Sequence, residues 1–164
     1  MTTSPKDITV QTTTPADLPA LADAVAATGL FPPDLLPTLF DGGGGGGDGA
    51  THWLTACVGD TPIGFAFAAQ EELAEGTWNM MAIAVHPDMQ GTGVGTALVA
   101  ALESRLRDDA ARLLIVDTSG AAGFAATRAF YAARGYREEA CVRDFWAPGD
   151  DKVIFTKGLA GRCG

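Results

Sequence analysis

Apolar positions along the chain follow two spacings, which predict an alternation of helices and strands. Leu98, Leu102 and Leu106 follow Val94 at intervals of four residues, as on the buried face of a helix. Residues 78–85 instead form a nearly continuous apolar run, which is typical of a buried strand. These patterns predict strands at 7–13, 52–58, 62–69, 78–85, 113–116, 136–145 and 152–156, and helices at 14–29, within 30–40, at 93–107 and at 124–134.

The connections between these elements predict the arrangement of the sheet. The strands between 52 and 85 are joined by short turns, which indicates an antiparallel meander. The strand at 113–116 follows a helix and must lie beside the sheet after a crossover. The fold class is then α/β (α+β), with a mixed, mostly antiparallel sheet of six to seven strands and about four helices. We expect one domain over residues 1–164, with a flexible glycine-rich loop at 41–49.

Composition narrows the class of partner. The 164 residues carry 20 acidic and 11 basic side chains, a net charge of −9, which argues against nucleic acid or an anionic membrane as the partner. No run of about 20 apolar residues and no apolar leader is present, so we expect neither a transmembrane helix nor a secretory signal. Three cysteines without a CxxC pair, and only two histidines, favour a cytoplasmic protein with reduced thiols and no metal site.

The segment 90–96, QGTGVGT, is the clearest candidate for ligand binding. It follows a predicted buried strand and opens an amphipathic helix, so its backbone N–H groups would face a ligand at the positive end of the helix dipole. This pattern predicts a phosphate or pyrophosphate site. The segment is not a P-loop, because no Lys-Ser or Lys-Thr follows, and it lacks the spacing of the Rossmann fingerprint. The alternative is a glycine-rich turn that only lets the chain reverse direction.

Three segments, in order, resemble the GNAT superfamily of N-acetyltransferases. Residues 90–95 resemble its Q/R-x-x-G-x-G/A signature, 82–87 its pantetheine-binding strand, and 127–136 its second motif, a helix with Phe-Tyr that is followed by Gly-Tyr. The resemblance covers about 51–159 and implies the GNAT fold, with a splay between the two central strands. The asparagine that many members carry before the Phe-Tyr helix is absent, and Phe124 or a neighbour stands in its region.

This resemblance implies acetyl-CoA as the co-substrate, without a metal. The pyrophosphate of coenzyme A would meet the glycine-rich turn, formed by Gln90, Gly91, Thr92, Gly93, Val94, Gly95 and Thr96. Ile83, Ala84 and Val85 would pair through their backbone groups with the pantetheine amides, like an added strand.

The resemblance also suggests the catalytic groups. Tyr131 is similar to the family's general acid, since a phenol with an ordinary pKa of about 10 keeps its proton at neutral pH and can donate it to the leaving sulfur. Tyr131 would also contact the cofactor. The alternative is a tyrosine that only packs in the core. Asp117, at the end of the strand 113–116, is the candidate base, against the alternative of capping the next turn. Glu71, Glu72 or an ordered water are the other candidates.

We therefore expect an N-acetyltransferase that moves an acetyl group from acetyl-CoA, by direct attack, to a primary amine of a small molecule or peptide. Residues 30–40 and 144–146 would build the acceptor pocket, which Trp53, Trp78 and Trp146 could line, against ordinary core packing. One alternative is a catalytically silent GNAT-like module that binds or senses coenzyme A. Another is a nucleotide-binding α/β protein that uses the same turn. A homodimer paired through an exposed C-terminal strand is a further hypothesis.

Overall fold

The computed structural model of the chain describes residues 7–42 and 49–160. These residues form the strands β1 (Ile8–Thr12), β2 (Thr51–Val58), β3 (Thr61–Gln70), β4 (Thr77–Val85), β5 (Leu113–Ser119), β6 (Arg137–Ala147) and β7 (Asp150–Gly158). They also form the helices α1 (Leu18–Thr28), α2 (Leu35–Gly42), α3 (Val94–Asp108) and α4 (Ala125–Ala133). The strand order in the mixed sheet is β1-β2-β3-β4-β5-β7-β6. The predicted α/β class, strand number and helix number are confirmed.

The described residues group into two compact units. The first lies within Met1–Gln70 and Met81–Arg105, and the second within Glu71–Met80 and Leu106–Gly164. The expectation of a single domain stays a prediction. Of the predicted loop at 41–49, residues 43–48 lie outside the described residues, and Asp41 and Gly42 belong to the last turn of α2.

In the first unit, β1, β2 and β3 are antiparallel, with Ile8 opposite Val58 and Thr51 opposite Ala69. A 3-10 turn, Pro15–Asp17, begins where the sequence predicted the helix, since the Thr14 N–H donates to the Asp17 carboxylate at 2.8 Å, and α1 follows it from Leu18. It ends at Gly29, whose φ of 65° is left-handed. The buried core of this unit joins α1, α2 and the sheet through Leu21, Val25, Leu36, Phe40, Trp53, Phe65, Phe67 and Ala84.

In the second unit, β4 and β5 pair in parallel from Thr77–Leu113 to Met80–Val116. The other side of β5 pairs antiparallel with β7, from Leu113–Gly158 to Ser119–Lys152. The strands β6 and β7 form a hairpin around Pro148 and Gly149, as the turn sequence predicts. The helix α4 packs on the face that carries Phe155, through the ring of Tyr131 at 5.8 Å.

Two expectations about strands are wrong. The strand β5 extends to Ser119, so Asp117 lies inside it and does not cap a turn at 118–120. Backbone pairing with β7 accounts for the added length, because Thr118 lies opposite Val153 and Ser119 opposite Lys152. The last strand, β7, lies between β5 and β6, so the exposed strand at this end of the sheet is β6.

None of the described helices combines the length and the apolar character needed to cross a membrane.

Candidate active site

The glycine-rich turn before α3 has the backbone shape that only glycine adopts easily. Gly91 and Gly93 have φ values of 77° and 95°, in the region that side chains disfavour. The carbonyl of Gly93 accepts the N–H of Ala97 at 3.0 Å, so Gly93 caps the start of α3. A Cβ built at Gly91 or Gly93 would meet no other atom within 4 Å. The turn therefore borders open space at the positive end of a helix of 15 residues.

Two side chains in the turn stabilise it by hydrogen bonds to backbone carbonyls. The Gln90 side-chain amide donates to the Val85 carbonyl at 3.1 Å, and the Thr92 hydroxyl donates to the Met89 carbonyl at 2.6 Å. Because the first amides of any helix lack acceptors within the helix, those of Val94 and Gly95 are the groups suited to an anion. The predicted positions 90–96 are thus brought together in one turn.

The strand that leads into this turn is fixed closely against its neighbour. A Cβ at Gly64 on β3 would lie 2.7 Å from the Ala84 carbonyl on β4, so the two backbones approach as closely as glycine permits. The side chain of Ala84 is buried. The His86 imidazole accepts the Asp88 N–H at 3.2 Å and so caps the short turn Pro87–Met89. This turn joins Ile83, Ala84 and Val85 to the glycine-rich segment.

Tyr131 lies in an aromatic cluster on one face of the second unit. Its ring contacts Phe130, Tyr136 and Phe155 at centroid distances of 5.4, 5.6 and 5.8 Å. The side chain is 2% exposed, and burial raises its pKa well above the ordinary value. Among the described residues, no group forms a hydrogen bond with its hydroxyl. Tyr131 is therefore a buried phenol that stays protonated at neutral pH.

Asp117 is the next residue after Val116, the last position of β5 that pairs with β4. Its Oδ2 atom lies 3.1 Å from Lys152 Nζ on β7, in an ion pair with side chains 19% and 18% exposed. Its Oδ1 atom is buried without a hydrogen-bond partner. A buried carboxylate oxygen without a donor is unfavourable in the free protein, so this oxygen is suited to an incoming N–H group.

The end of β5 is anchored at the residues that follow Asp117. The Arg128 guanidinium on α4 donates to the carbonyls of Ser119 and Ala121 at 2.8 and 2.9 Å. The Trp146 indole N–H on β6 donates to the Thr118 carbonyl at 3.4 Å, and the Ser119 hydroxyl donates to the Asp150 carboxylate. These bonds hold the Asp117 backbone in a defined position.

Other candidate residues have different surroundings. Glu71 accepts from the Asn79 side-chain amide at 3.5 Å, and Glu72 is exposed. Trp53 and Trp78 are buried in the core, so neither presents a surface to solvent. Trp146 is half-exposed and contacts Phe145 edge to face. Of the predicted pocket tryptophans, Trp146 is the one that has an exposed face.

The cysteines offer no activated nucleophile among the described residues. Cys57 is buried, and burial together with the charges of Asp17 and Asp60 raises its pKa. Cys141 is exposed on β6, 3.7 Å from the Asp151 carboxylate, and its pKa is raised as well. Both thiols therefore stay protonated at neutral pH.

Sequence reasoning missed Lys152, which pairs with the predicted base. The alternation of Lys152, Ile154 and Thr156 indicates that they share one strand face, but it does not say which strand lies opposite. The position of β7 beside β5 was needed to bring Lys152 to Asp117.

Comparison with known proteins assigns the family. The model of the acetyltransferase (GNAT) family matches residues 24–136, more than half of the chain. None of the curated proteins compared by sequence matches. The chain belongs to the GNAT acetyltransferase family.

Solved structures agree with this assignment. A Desulfovibrio desulfuricans protein assigned to the GNAT acetyltransferases is 32% identical, with 93% of this chain and 99% of that one covered and a TM-score of 0.86. The ribosomal-protein-S18-alanine N-acetyltransferase of Escherichia coli is 20% identical, with 96% and 98% covered and a TM-score of 0.77. An aminoglycoside 6'-N-acetyltransferase complexed with coenzyme A is 14% identical, with 95% and 99% covered and a TM-score of 0.77. The last two structures, at 20% and 14% identity, show only that the fold is shared.

Proposed function

We propose that the protein is an N-acetyltransferase that moves an acetyl group from acetyl-CoA to a primary amine of a small molecule or peptide. The observation that carries the proposal is the glycine-rich turn, with Gly91 and Gly93 left-handed beside open space at the start of α3. Such a turn suits a pyrophosphate, and membership of the acetyltransferase family supports coenzyme A as its source. A neighbouring structure of the same fold contains coenzyme A.

Binding of coenzyme A is assigned to two segments of the first unit. The turn Gln90, Gly91, Thr92, Gly93, Val94, Gly95 and Thr96 would hold the pyrophosphate through backbone amides. Ile83, Ala84 and Val85 would present backbone groups of β4 to the pantetheine amides. No metal is required for this binding.

The proposed chemistry is direct attack of the amine on the thioester, which supplies the acetyl group. A carbon–nitrogen bond forms, the carbon–sulfur bond breaks, and the amine loses a proton. Asp117 would take that proton through the unpartnered Oδ1 atom. Tyr131 would donate its O–H to the leaving sulfur as a hydrogen bond that stabilises the developing thiolate, because its raised pKa keeps the proton on the phenol, and the thiolate would take up a proton from water as coenzyme A leaves. The protonated state of the two described cysteines, Cys57 and Cys141, favours this route over an acetylated cysteine.

The fold does not specify the acceptor amine, because relatives of the same fold act on different amines. One acts on a ribosomal protein alanine and another on an aminoglycoside. The test is thiol release from acetyl-CoA over a panel of peptide N-termini, aminoglycosides, polyamines and amino acids, with mass spectrometry of each product. Release that depends on one amine, with an acetylated product, supports the proposal. Coenzyme A binding without transfer to any amine would favour the sensing module.

Cellular location and assembly belong to the same proposal. We expect a cytoplasmic enzyme made of one domain, and a homodimer remains a prediction. Because β6 and not β7 is the exposed strand at this end of the sheet, pairing between copies would have to use β6. Sedimentation velocity over a range of concentrations measures the oligomeric state.

A further inference from the structure

The ion pair between Asp117 and Lys152 differs from an ordinary surface pair. The two side chains are 19% and 18% exposed, and Oδ2 lies 3.1 Å from Nζ. On the paired strands, Asp117 lies opposite Ile154 and Lys152 lies opposite Ser119. The lysine therefore reaches diagonally across the sheet face to the carboxylate.

The lysine is itself held from a second strand. Its Nζ atom lies 4.2 Å from the centre of the Phe145 ring on β6, within the range of a cation–π contact. Because β7 lies between β5 and β6, the ammonium is fixed by a carboxylate on one side and a ring on the other. This contact on both sides restricts the rotamers of Lys152.

The pairing leaves the two oxygens of Asp117 in different states. Oδ2 accepts from the lysine, whereas Oδ1 is buried and has no partner. A carboxylate that turned freely would let either oxygen meet the lysine. With Lys152 fixed, Oδ1 is the oxygen that stays available to a new donor.

Other charged groups of the second unit have partners of their own. Arg128 donates to the Ser119 and Ala121 carbonyls, Asp150 accepts from Ser119, Asp151 accepts from the Asp144 N–H, and Glu71 accepts from Asn79. Within residues 7–42 and 49–160, Asp117 forms its ion pair with Lys152. The orientation of the carboxylate therefore depends on that lysine.

We propose that Lys152 is a positioning residue for the transfer reaction. It keeps the Oδ1 atom of Asp117 directed at the N–H of the acceptor amine. This inference rests on the proposed function, because it gives Asp117 the role of proton acceptor.

The test compares Lys152→Met, which keeps the length of the stem, with Lys152→Arg, which keeps the charge. We expect Lys152→Met to let the Asp117 carboxylate turn away from the amine, so the plateau of the kcat/KM profile should fall about tenfold while KM for acetyl-CoA stays unchanged. Lys152→Arg should restore the plateau. Arg137→Met, which removes an exposed ion pair on β6, is the control and should leave the plateau unchanged.

A second readout needs no turnover. The carboxyl carbon of Asp117, assigned with Asp117→Asn, is followed by NMR in parent and variants, and its chemical shift should change in Lys152→Met and return in Lys152→Arg. In an Asp117→Asn background, Lys152→Met should lower the plateau no further. An unchanged chemical shift and plateau in folded Lys152→Met overturn the inference even if the parent is active. If the parent acetylates no amine, the proposed function fails, and the inference fails with it whatever the NMR measurement gives.

Discussion

Tyr131 and Asp117 lie on opposite faces of the same part of the sheet. The Tyr131 ring packs on Phe155, which lies opposite Val116 in the paired strands. Because successive residues of a strand point to opposite faces, Asp117 faces the other side, where it meets Lys152. Under the proposed function, the proton donor and the proton acceptor would approach the reacting carbonyl from opposite sides.

The first prediction concerns the glycine-rich turn. Gly93→Val should raise the Kd for coenzyme A at least tenfold, because φ is 95° at this position and the new side chain would enter the open space beside the turn. Gly95→Val, inside the first turn of α3, should also weaken binding. Gly29→Val is the strain control, since Gly29 is left-handed in open space at the end of α1. Unchanged affinity by calorimetry in folded Gly93→Val and Gly95→Val would remove the anion site from this segment.

The second prediction concerns the proton donor. Tyr131→Phe should lower kcat by roughly 10²-fold, the usual range for one acid–base group, with little change in coenzyme A affinity. Tyr136→Phe, in the same aromatic cluster, is the matched control and should keep most of the activity. Steady-state kinetics and calorimetry give the two quantities. A kcat within about threefold of the parent would assign the proton to another group or to water.

The third prediction concerns stability at alkaline pH. Burial raises the pKa of Tyr131 in the folded protein, whereas the unfolded chain has the ordinary value of about 10. The stabilisation is therefore complete below about pH 10 and is lost as pH rises toward the folded value, by up to about 1.4 kcal/mol per pH unit. Tyr131→Phe should lack this component. Urea unfolding of both proteins between about pH 9 and about pH 11 measures it, and parallel curves would contradict the expectation.

The fourth prediction concerns the proton acceptor. Asp117→Asn should remove the acidic limb of the kcat/KM profile and lower its plateau at least tenfold, because the amide cannot take the proton from the amine. Asp60→Asn, in an exposed turn, is the control and should leave the profile unaltered. If the limb persists in Asp117→Asn, the role passes to Glu71, Glu72 or an ordered water.

Much of the fold could be predicted because its signals are local. Leu98, Leu102 and Leu106 all lie in the core, as their helical spacing requires. The turn at Pro148 and Gly149 forms the predicted hairpin, since Gly149 takes a φ of 81°. The glycine-rich segment could also be identified from local signals, because the glycine spacing and the helical pattern after it lie in one short stretch of sequence.

What could not be predicted depends on pairing between distant segments. Thr118 and Ser119 have turn-forming character, yet β7 supplies backbone partners that extend β5 through them. The contact of Lys152 with Asp117 arises because β7 inserts between β5 and β6. No local pattern specifies that insertion, so the residue that orients the candidate base became visible only in the structure.

The strand β6 has a consequence for the behaviour of the protein at high concentration. It is exposed along its whole length, and such an edge is a template on which other chains can aggregate. Its register is interrupted between Glu138 and Ala140 and again between Val142 and Ala147, and Asp144 takes a left-handed φ of 56°. A growing fibril needs a flat, regular strand at its edge, and the bulges in β6 make this strand irregular. The same irregularities that bring Phe145 to the lysine should therefore keep concentrated solutions free of cross-β aggregates.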